Sequence, residues 1–245
     1  MEIEINDLET GRFGIVCARF RAGETLSYNE LVEMNRQARE AGVRMVSTRV
    51  DVGALAQVHA LEADGFRLMD TIVYFGGPLR PAIAGRSAPD GVTFRQARSE
   101  DAPAVAAIAR RAFEGYIGHY HADPRLDRSA ADAAYVEWAE TSIARPGPDD
   151  RAFVATRGAT ALGFLTVRSL SCGACEIVLN AVDPACQGQG IYRALLRATR
   201  EMFDGPDDGR LSVSTQINNY TVQRIWSREG LVHERSSYTF HKWFD

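Results

Sequence analysis

The chain has 245 residues, of which 45% are hydrophobic and 24% charged, enough to bury one large core or two smaller ones. A formal net charge of -4 removes the broad attraction to phosphate backbones on which nucleic-acid binders rely, so no nucleic-acid partner is expected. The opening MEIEINDLETGRFG lacks the basic and apolar regions of a secretory signal, and no window reaches the length of an apolar membrane span; the sequence reads as soluble and cytoplasmic, with no membrane partner.

The predicted elements alternate from the start. A β-rich run over Phe13–Phe20 precedes a helix over Ser27–Ala41, where Ser27 is placed to cap and Leu31, Met34 and Ala38 share one face. A strand over Val43–Val50, a helix over Ala54–Ala63 and a strand over Phe66–Phe75 complete a first unit. Residues 76–91, GGPLRPAIAGRSAPDG, are dense in Gly and Pro and mark a domain join. A strand over Val92–Gln96, a helix over Ser99–Phe113, a polar and aromatic loop, and a helix over Ser129–Ala144 come next. Strands over Ala152–Thr156, Leu162–Leu170 and Glu176–Val182 follow, then a helix over Ile191–Met202, a strand over Leu211–Thr215, a helix over Asn219–Arg228 and a final strand over Val232–Trp243. Ala60–Phe66 with its following strand has the same shape as Ile225–Leu231 with its own: helix end, glycine, apolar residue, strand.

Four cysteines, Cys17, Cys172, Cys175 and Cys186, do not make a disulfide framework in a chain of this length, and reduced thiols are expected. The pair Cys172-Gly-Ala-Cys175 has a redox-like spacing, but it lies between two strand-like runs with no second pair beside it, and it reads as a hairpin turn.

The stretch VDPACQGQGIYRALL, Val182–Leu196, joins a strand end to a helix through Gly188 and Gly190. A mononucleotide P-loop needs Lys and Ser or Thr after its last glycine, but Ile191 and Tyr192 stand there. A dinucleotide fingerprint needs a small residue where Arg193 stands and an acidic end to the next strand, which has Ser214 and Thr215. A pyrophosphate cradled by backbone amides at a helix N-terminus needs neither, only side chains kept clear. A glycine turn that binds nothing is the plain alternative.

Val182-Asp-Pro184, Gln187-x-x-Gly190, the apolar helix, and then Asn219-x-x-Val222-x-x-x-Trp226-x-x-x-Gly230 resemble the acetyl-CoA motifs of the GNAT acyltransferase superfamily. The resemblance implies a mixed α/β (α+β) GNAT fold with a splayed central mixed sheet over residues 92–245. A smaller, truncated GNAT-like N-terminal domain over 1–77 and a linker over 78–91 would precede it. It implies acetyl-CoA, or another acyl-CoA, as co-substrate and no metal. The pyrophosphate would lie on the amides of Gln187, Gly188, Gln189, Gly190, Ile191 and Tyr192, with Asn219 and Trp226 on the neighbouring helix. The pantetheine arm would follow Asn180, Ala181 and Val182, and a backbone amide near Asn180 would stabilise the oxyanion. Two departures stand out: Tyr192 where the superfamily has Gly or Ala, so that its ring must turn away from the phosphates, and Trp226 where it has a Tyr general acid. An indole cannot give a proton to a departing thiolate. Tyr238 and His241 of the last strand are substitutes, and their spacing puts them on opposite faces, so at most one is expected to face the cleft.

Acyl transfer to an amine also needs a proton acceptor. Glu176 opens the cofactor strand at the spacing of the glutamate base in histone-acetyltransferase members, a solvated strand end being the alternative. The loop Gly118-His-Tyr-His-Ala-Asp-Pro124 concentrates imidazoles, a carboxylate and an aromatic ring; His119, Tyr120, His121, Asp123 and Arg125 are the candidate acceptor-binding residues, some able to act as base. A metal on His119, His121 and Asp123 is disfavoured, because one short loop rarely arranges three ligands around an ion.

The domain order, the aromatic loop, the helix with Tyr135-Val-Glu-Trp138 and the run Ser214-Thr-Gln-x-Asn-Asn219 look like bacterial TDP-fucosamine (dTDP-4-amino-4,6-dideoxygalactose) N-acetyltransferases. That likeness implies N-acylation of a nucleotide-linked amino-deoxyhexose for surface polysaccharide or glycoconjugate synthesis. Other acceptors, namely a protein N-terminus, a lysine or an aminoglycoside, stay open, as does a module that binds acyl-CoA without chemistry. Exposed strand edges of the first domain would serve substrate contact or pairing into a homodimer.

Overall fold

The computed structural model describes residues 3–21, 23, 25–80 and 88–245, with only the backbone of Cys172. Much of the linker expected over 78–91 therefore lies outside the described residues. In chain order the elements are β1 Ile3–Ile5, α1 Asp7–Phe13, β2 Cys17–Phe20, α2 Tyr28–Glu40, β3 Met45–Asp51, α3 Leu55–Ala63, β4 Arg67–Pro78, β5 Thr93–Gln96, α4 Ala102–Ala112, α5 His119–Ala122 and α6 Arg128–Ala144. Then follow β6 Asp150–Arg157, β7 Thr160–Ser169, β8 Ala174–Val182, α7 Ile191–Met202, β9 Arg210–Gln216, α8 Tyr220–Arg228 and β10 Val232–Trp243. The chain divides into two compact units: Met1–Val73 with Ile117–Ala131 and Arg235–Asp245, and Tyr74–Tyr116 with Asp132–Glu234.

In the first unit β1, β2, β3 and β10 pair in that order, β2 with β3 parallel and the other pairs antiparallel. The predicted face of α2 is the buried one: Leu31, Met34 and Ala38 join Val58, Leu61, Val46, Val50 and Phe240 in one core. Strand alternation sends Tyr238 to this core and His241 to the opposite face, as the period of two requires.

Where the sequence reading began a strand at Phe13, the chain instead forms α1 and enters β2 only at Cys17. Asn6 caps α1 by accepting from the Glu9 amide at 3.2 Å, and Gly14, at φ 66°, ends it with its N–H on Thr10 O at 3.0 Å.

In the second unit the order is β9-β8-β7-β6-β5, with β8 and β9 parallel and the rest antiparallel. Val105, Ile108 and Ala109 of α4 and Ala139 and Ile143 of α6 pack on Val154, Phe164, Leu179 and Ala181. Gly76 and Gly77 do not break β4, which runs on to Pro78. A Cβ on Gly77 would come within 2.8 Å of the Gly230 carbonyl, and one on Gly76 would run into the Glu234 carboxylate, so the backbones approach where only glycine fits.

Candidate active site

The strand that leads into the glycine loop is only half paired on one side. β8 and β9 match as Ala174–Arg210, Cys175–Leu211, Glu176–Ser212 and Ile177–Val213, and the ladder stops there although β8 continues to Val182 and β9 to Gln216. Toward β7 the register shifts between Thr166 and Val167, which leaves Val178 as the extra residue of a bulge. The hydroxyl of Thr166 holds that bulge: it accepts from the Leu179 amide at 3.0 Å and donates to the Leu179 carbonyl at 3.1 Å. The Asp183 amide donates to Leu162 O at 2.8 Å, so Leu179 and Asp183 both face β7. Alternation then turns the backbone groups of Asn180 and Val182 the other way, into the gap where β9 has departed. Glu176 sits in the zipped part, opposite Arg168 on β7 and Ser212 on β9, and is half-buried.

Beyond Val182 the chain is braced before it turns. Asp183 accepts from Arg111 at 2.5 Å and from the Ala185 amide at 3.1 Å, and the Arg111 bond is the chief reason its carboxyl lies below the ordinary value. The Gln187 side chain reaches the Val182 carbonyl at 3.5 Å, and Gln189 accepts from Arg157 at 3.3 Å. Gly188 and Gly190 lie at φ 77° and 80°; added Cβ atoms would meet nothing within 4 Å, so these glycines serve the left-handed backbone rather than room against the rest of the chain. Gly190 caps α7 without a side chain, and the first intrahelical amide is that of Ala194, on Gly190 O at 3.1 Å. The amides of Ile191, Tyr192 and Arg193 thus have no acceptor within the helix, and they point out of its positive end.

The two departures from the superfamily pattern meet each other. The Trp226 indole, fully buried on α8, donates from Nε1 to the Tyr192 hydroxyl at 2.8 Å, so the Tyr192 ring turns inward and leaves the loop clear. Burial pushes the Tyr192 hydroxyl up, with the Trp226 bond opposing. Just past α8, the buried Glu229 carboxylate accepts from Arg197 at 2.6 Å and from Arg193 at 2.8 Å, binding the foot of α8 to α7. Asn219 donates to the Thr215 hydroxyl at 3.1 Å at the head of α8.

In the first unit the aromatic loop contains the short helix α5, and its side chains form a chain of bonds. Asp123 Oδ2 lies 2.8 Å from His241 Nδ1, and His241 Nε2 lies 3.0 Å from His119 Nδ1. Asp123 also accepts from Trp243 Nε1 at 2.9 Å and from the Arg125 amide at 3.0 Å. Burial alone would raise the Asp123 carboxyl, but the bonds from His241, Trp243 and Arg125 hold it below the ordinary value. His119 is pushed well below the usual imidazole range, by burial first and then by the charges of His241, Arg49, Arg19 and His121. Tyr120 donates to Glu9 at 2.9 Å, Arg125 stacks 4.3 Å over the Trp243 ring and pairs with Asp245 at 2.7 Å, and His121 Nδ1 accepts from the Gly118 amide at 3.3 Å. Among the described residues no group of three or more His, Cys, Asp or Glu side chains is arranged to hold a metal ion: the imidazoles and Asp123 are strung in line rather than converged on a point.

Thus the structure gathers His119, Asp123 and His241, from loop and last strand, while Tyr238 packs against the hydrophobic core. Sequence reasoning missed Thr166, Glu229 and Glu9. The Ile225–Leu231 corner was itself recognised, but nothing in it said that Glu229 would be buried.

A half-unzipped parallel strand pair thus runs into a helix N-terminus without a side-chain cap. Residues 104–230, just over half of the chain, match the acetyltransferase (GNAT) family, and the chain belongs to that family of acyl-CoA-dependent N-acetyltransferases. Over 143 residues, 58% of the chain, it is 29% identical to the spore coat polysaccharide biosynthesis protein SpsD of Bacillus subtilis (strain 168), of whose length that match covers 48%. A GCN5-related N-acetyltransferase from Sphaerobacter thermophilus has a similar fold, with a TM-score of 0.66 at 14% identity, covering 99% of this chain and 75% of that one. A tandem GNAT protein from the clavulanic acid biosynthesis pathway gives 0.63 at 12% identity, covering 93% and 75%. Among the described residues no helix is long and apolar enough to cross a membrane.

Proposed function

We propose that the protein transfers an acetyl group from acetyl-CoA to the amino group of a nucleotide-linked amino-deoxyhexose, as a step toward a surface polysaccharide. The acceptor reading is carried by the likeness to a protein named for spore coat polysaccharide biosynthesis. The donor reading rests on the free amides at the start of α7 and on the gap between β8 and β9.

In this reading the pyrophosphate lies on the amides of Gln187–Tyr192, and the pantetheine arm pairs with Asn180, Ala181 and Val182 in place of the missing β9 partner. The Asn180 amide, turned into the gap, donates to the thioester oxygen as negative charge develops there. The amine attacks the thioester carbon, and a base takes its proton; Glu176 or an imidazole of the loop serves. Trp226 has no acidic proton to give, and its N–H is committed to Tyr192, so CoA leaves as the thiolate. His119, Tyr120, His121, Asp123 and Arg125 form the acceptor-binding loop, whose aromatic faces suit a sugar.

The test is thiol release from acetyl-CoA by the purified protein against a panel of nucleotide-linked amino sugars, with polyamine, aminoglycoside and peptide controls. Rapid release with one aminodeoxyhexose nucleotide is expected. Release with a control amine alone would replace the sugar by that acceptor. If Glu176 is the base, Glu176→Gln lowers turnover chiefly below the acceptor's own pKa, and an unchanged pH–rate profile removes it from the mechanism.

A further inference from the structure

One face of the first unit's sheet carries hydrogen-bond donors that nothing around them uses. Arg19 on β2 lies opposite Ser47 on β3, and Ser47 lies opposite His241 on β10, so the three side chains share that face. Two residues further along β3, Arg49 is opposite Thr239 and points the same way. Strand spacing and rise put the Cα atoms of Arg19 and Arg49 about 8 Å apart, with Ser47 next to both, close enough for two guanidinium groups to reach one ligand.

Ser47 is only 7% exposed, yet its hydroxyl has no hydrogen-bond partner among the described residues. A buried hydroxyl in that state is costly unless something else fills the place. Thr239 accepts from Arg49 Nε at 3.2 Å, which leaves the two terminal nitrogens of Arg49 without a partner among the described residues. No carboxylate there neutralises Arg49. Asp51, on the same face, accepts from the Gly53 amide at 2.8 Å, and Glu9 is taken by Arg19 at 3.3 Å and Tyr120 at 2.9 Å. His119, bonded to His241 at 3.0 Å, feels this surplus: burial first, and then the charges of His241, Arg49, Arg19 and His121, hold its imidazole well below the usual range. Arg19 and Arg49 remain exposed to solvent, so the face is open to a ligand.

We infer that this face is a binding site for a phosphate or pyrophosphate group, held by Arg49, Arg19 and the Ser47 hydroxyl. Two cationic forks and a hydroxyl are all donors, and a tetrahedral oxyanion with two charges offers each of them an acceptor oxygen. The inference rests on the first unit alone and requires neither acyl transfer nor a particular acceptor. Inorganic phosphate, pyrophosphate and a nucleoside diphosphate share this chemistry, and binding tells them apart.

The experiment is calorimetric titration of the full chain with inorganic phosphate, pyrophosphate, uridine diphosphate and thymidine diphosphate, and separately with acetyl-CoA. Arg49→Gln removes the charge but keeps a polar side chain for Thr239, and it should weaken pyrophosphate about 10-fold or more while acetyl-CoA affinity holds. Ser47→Ala should weaken pyrophosphate about fivefold. Arg36→Gln, in an exposed arginine of α2 already bound to Glu33 and Glu40, should change nothing. A nucleoside diphosphate that binds more tightly than pyrophosphate, with the same dependence on Arg49, would assign the site to a nucleotide-borne group; equal affinities would assign it to the phosphates alone. Pyrophosphate that binds wild type and Arg49→Gln alike, an equal loss in Arg36→Gln, or no binding of any of these anions would overturn the inference. Failure of acetyl-CoA to bind would count against the donor reading and leave this one standing.

Discussion

Two stretches of the molecule are built alike, α2-β3-α3-β4 in the first part of the chain and α7-β9-α8-β10 in the last. Each second helix ends in the same corner. Gly65 and Gly230 lie at φ 86° and 77°, and the following amides, Phe66 and Leu231, reach back to the carbonyls of Leu61 and Trp226 at 2.9 and 3.0 Å. The residue before each glycine is a carboxylate that ties the corner down. Asp64 accepts from Lys242 at 2.7 Å and Asn35 at 2.9 Å, and Glu229 from Arg197 and Arg193.

The stretches part at the start of their first helices. In α2 the Ser27 hydroxyl accepts from the Glu30 amide at 3.3 Å while the Glu30 carboxylate accepts from the Ser27 amide at 2.6 Å, so that end is satisfied and negative. In α7 Gly190 offers no side chain at all. One scaffold closes its helix end with its own side chains, and the other leaves its first amides without a side-chain acceptor; under the proposed function this cap is the difference that suits the second stretch to acyl-CoA.

The largest way to strain this comparison is at the shared carboxylate. Glu229→Ala strands two guanidinium groups at the foot of α8, and about 3 kcal/mol of unfolding free energy should be lost, read by urea denaturation. Burial alone would raise the Glu229 carboxyl, but the bonds from Arg197 and Arg193 outweigh it and its pKa is lowered in the folded chain. Its contribution is therefore complete above the unfolded carboxylate value and fades as pH falls through the folded one, so the gap between wild type and variant should close in acid. A gap that widens in acid would contradict the ion-pair account.

The decisive change is at the caps. Gly190→Asp would let a carboxylate take the free amides of α7, as Ser27 and Glu30 do in α2, and tolerates the left-handed backbone better than most substitutions. The Kd for acetyl-CoA by calorimetry should rise about 30-fold, roughly 2 kcal/mol; unaltered affinity would move the cofactor elsewhere. Tyr192→Phe leaves the Trp226 N–H without its acceptor and should cost about 1–2 kcal/mol of stability while acetyl-CoA affinity holds. Ser27→Ala should cost about 1 kcal/mol in urea denaturation and leave acetyl-CoA affinity as it was. A severalfold change there would mean that the capped helix end also serves the cofactor.

Much of this was legible along the chain because it is local. The face of α2, the two glycine corners, the loop of Gly188 and Gly190 and the opposite orientations of Tyr238 and His241 all follow from spacing alone. β1 and α1 were missed although Asn6, Glu9 and Gly14 spell a cap and a stop, because the apolar run after Phe13 outweighed them. Gly76 and Gly77 looked like chain breakers, when the close approach of Gly230 and Glu234 makes glycine the residue that a strand needs there. The bulge held by Thr166 and the link from His119 through His241 to Asp123 join residues far apart in the chain, and no period or motif carries such pairings.

The make-up of the first unit bears on how the molecule is born. It is gathered from the first part of the chain, from Ile117–Ala131 and from Arg235–Asp245, and β10 supplies both Phe240 to its core and a partner strand to β3. During synthesis β3 emerges early and must wait, its edge open, until Arg235–Asp245 has left the ribosome. Contacts of such long sequence separation are slow to form. A nascent chain arrested before Arg235 should therefore expose β3 to protease and recruit chaperones, although the other segments of the first unit have already been made.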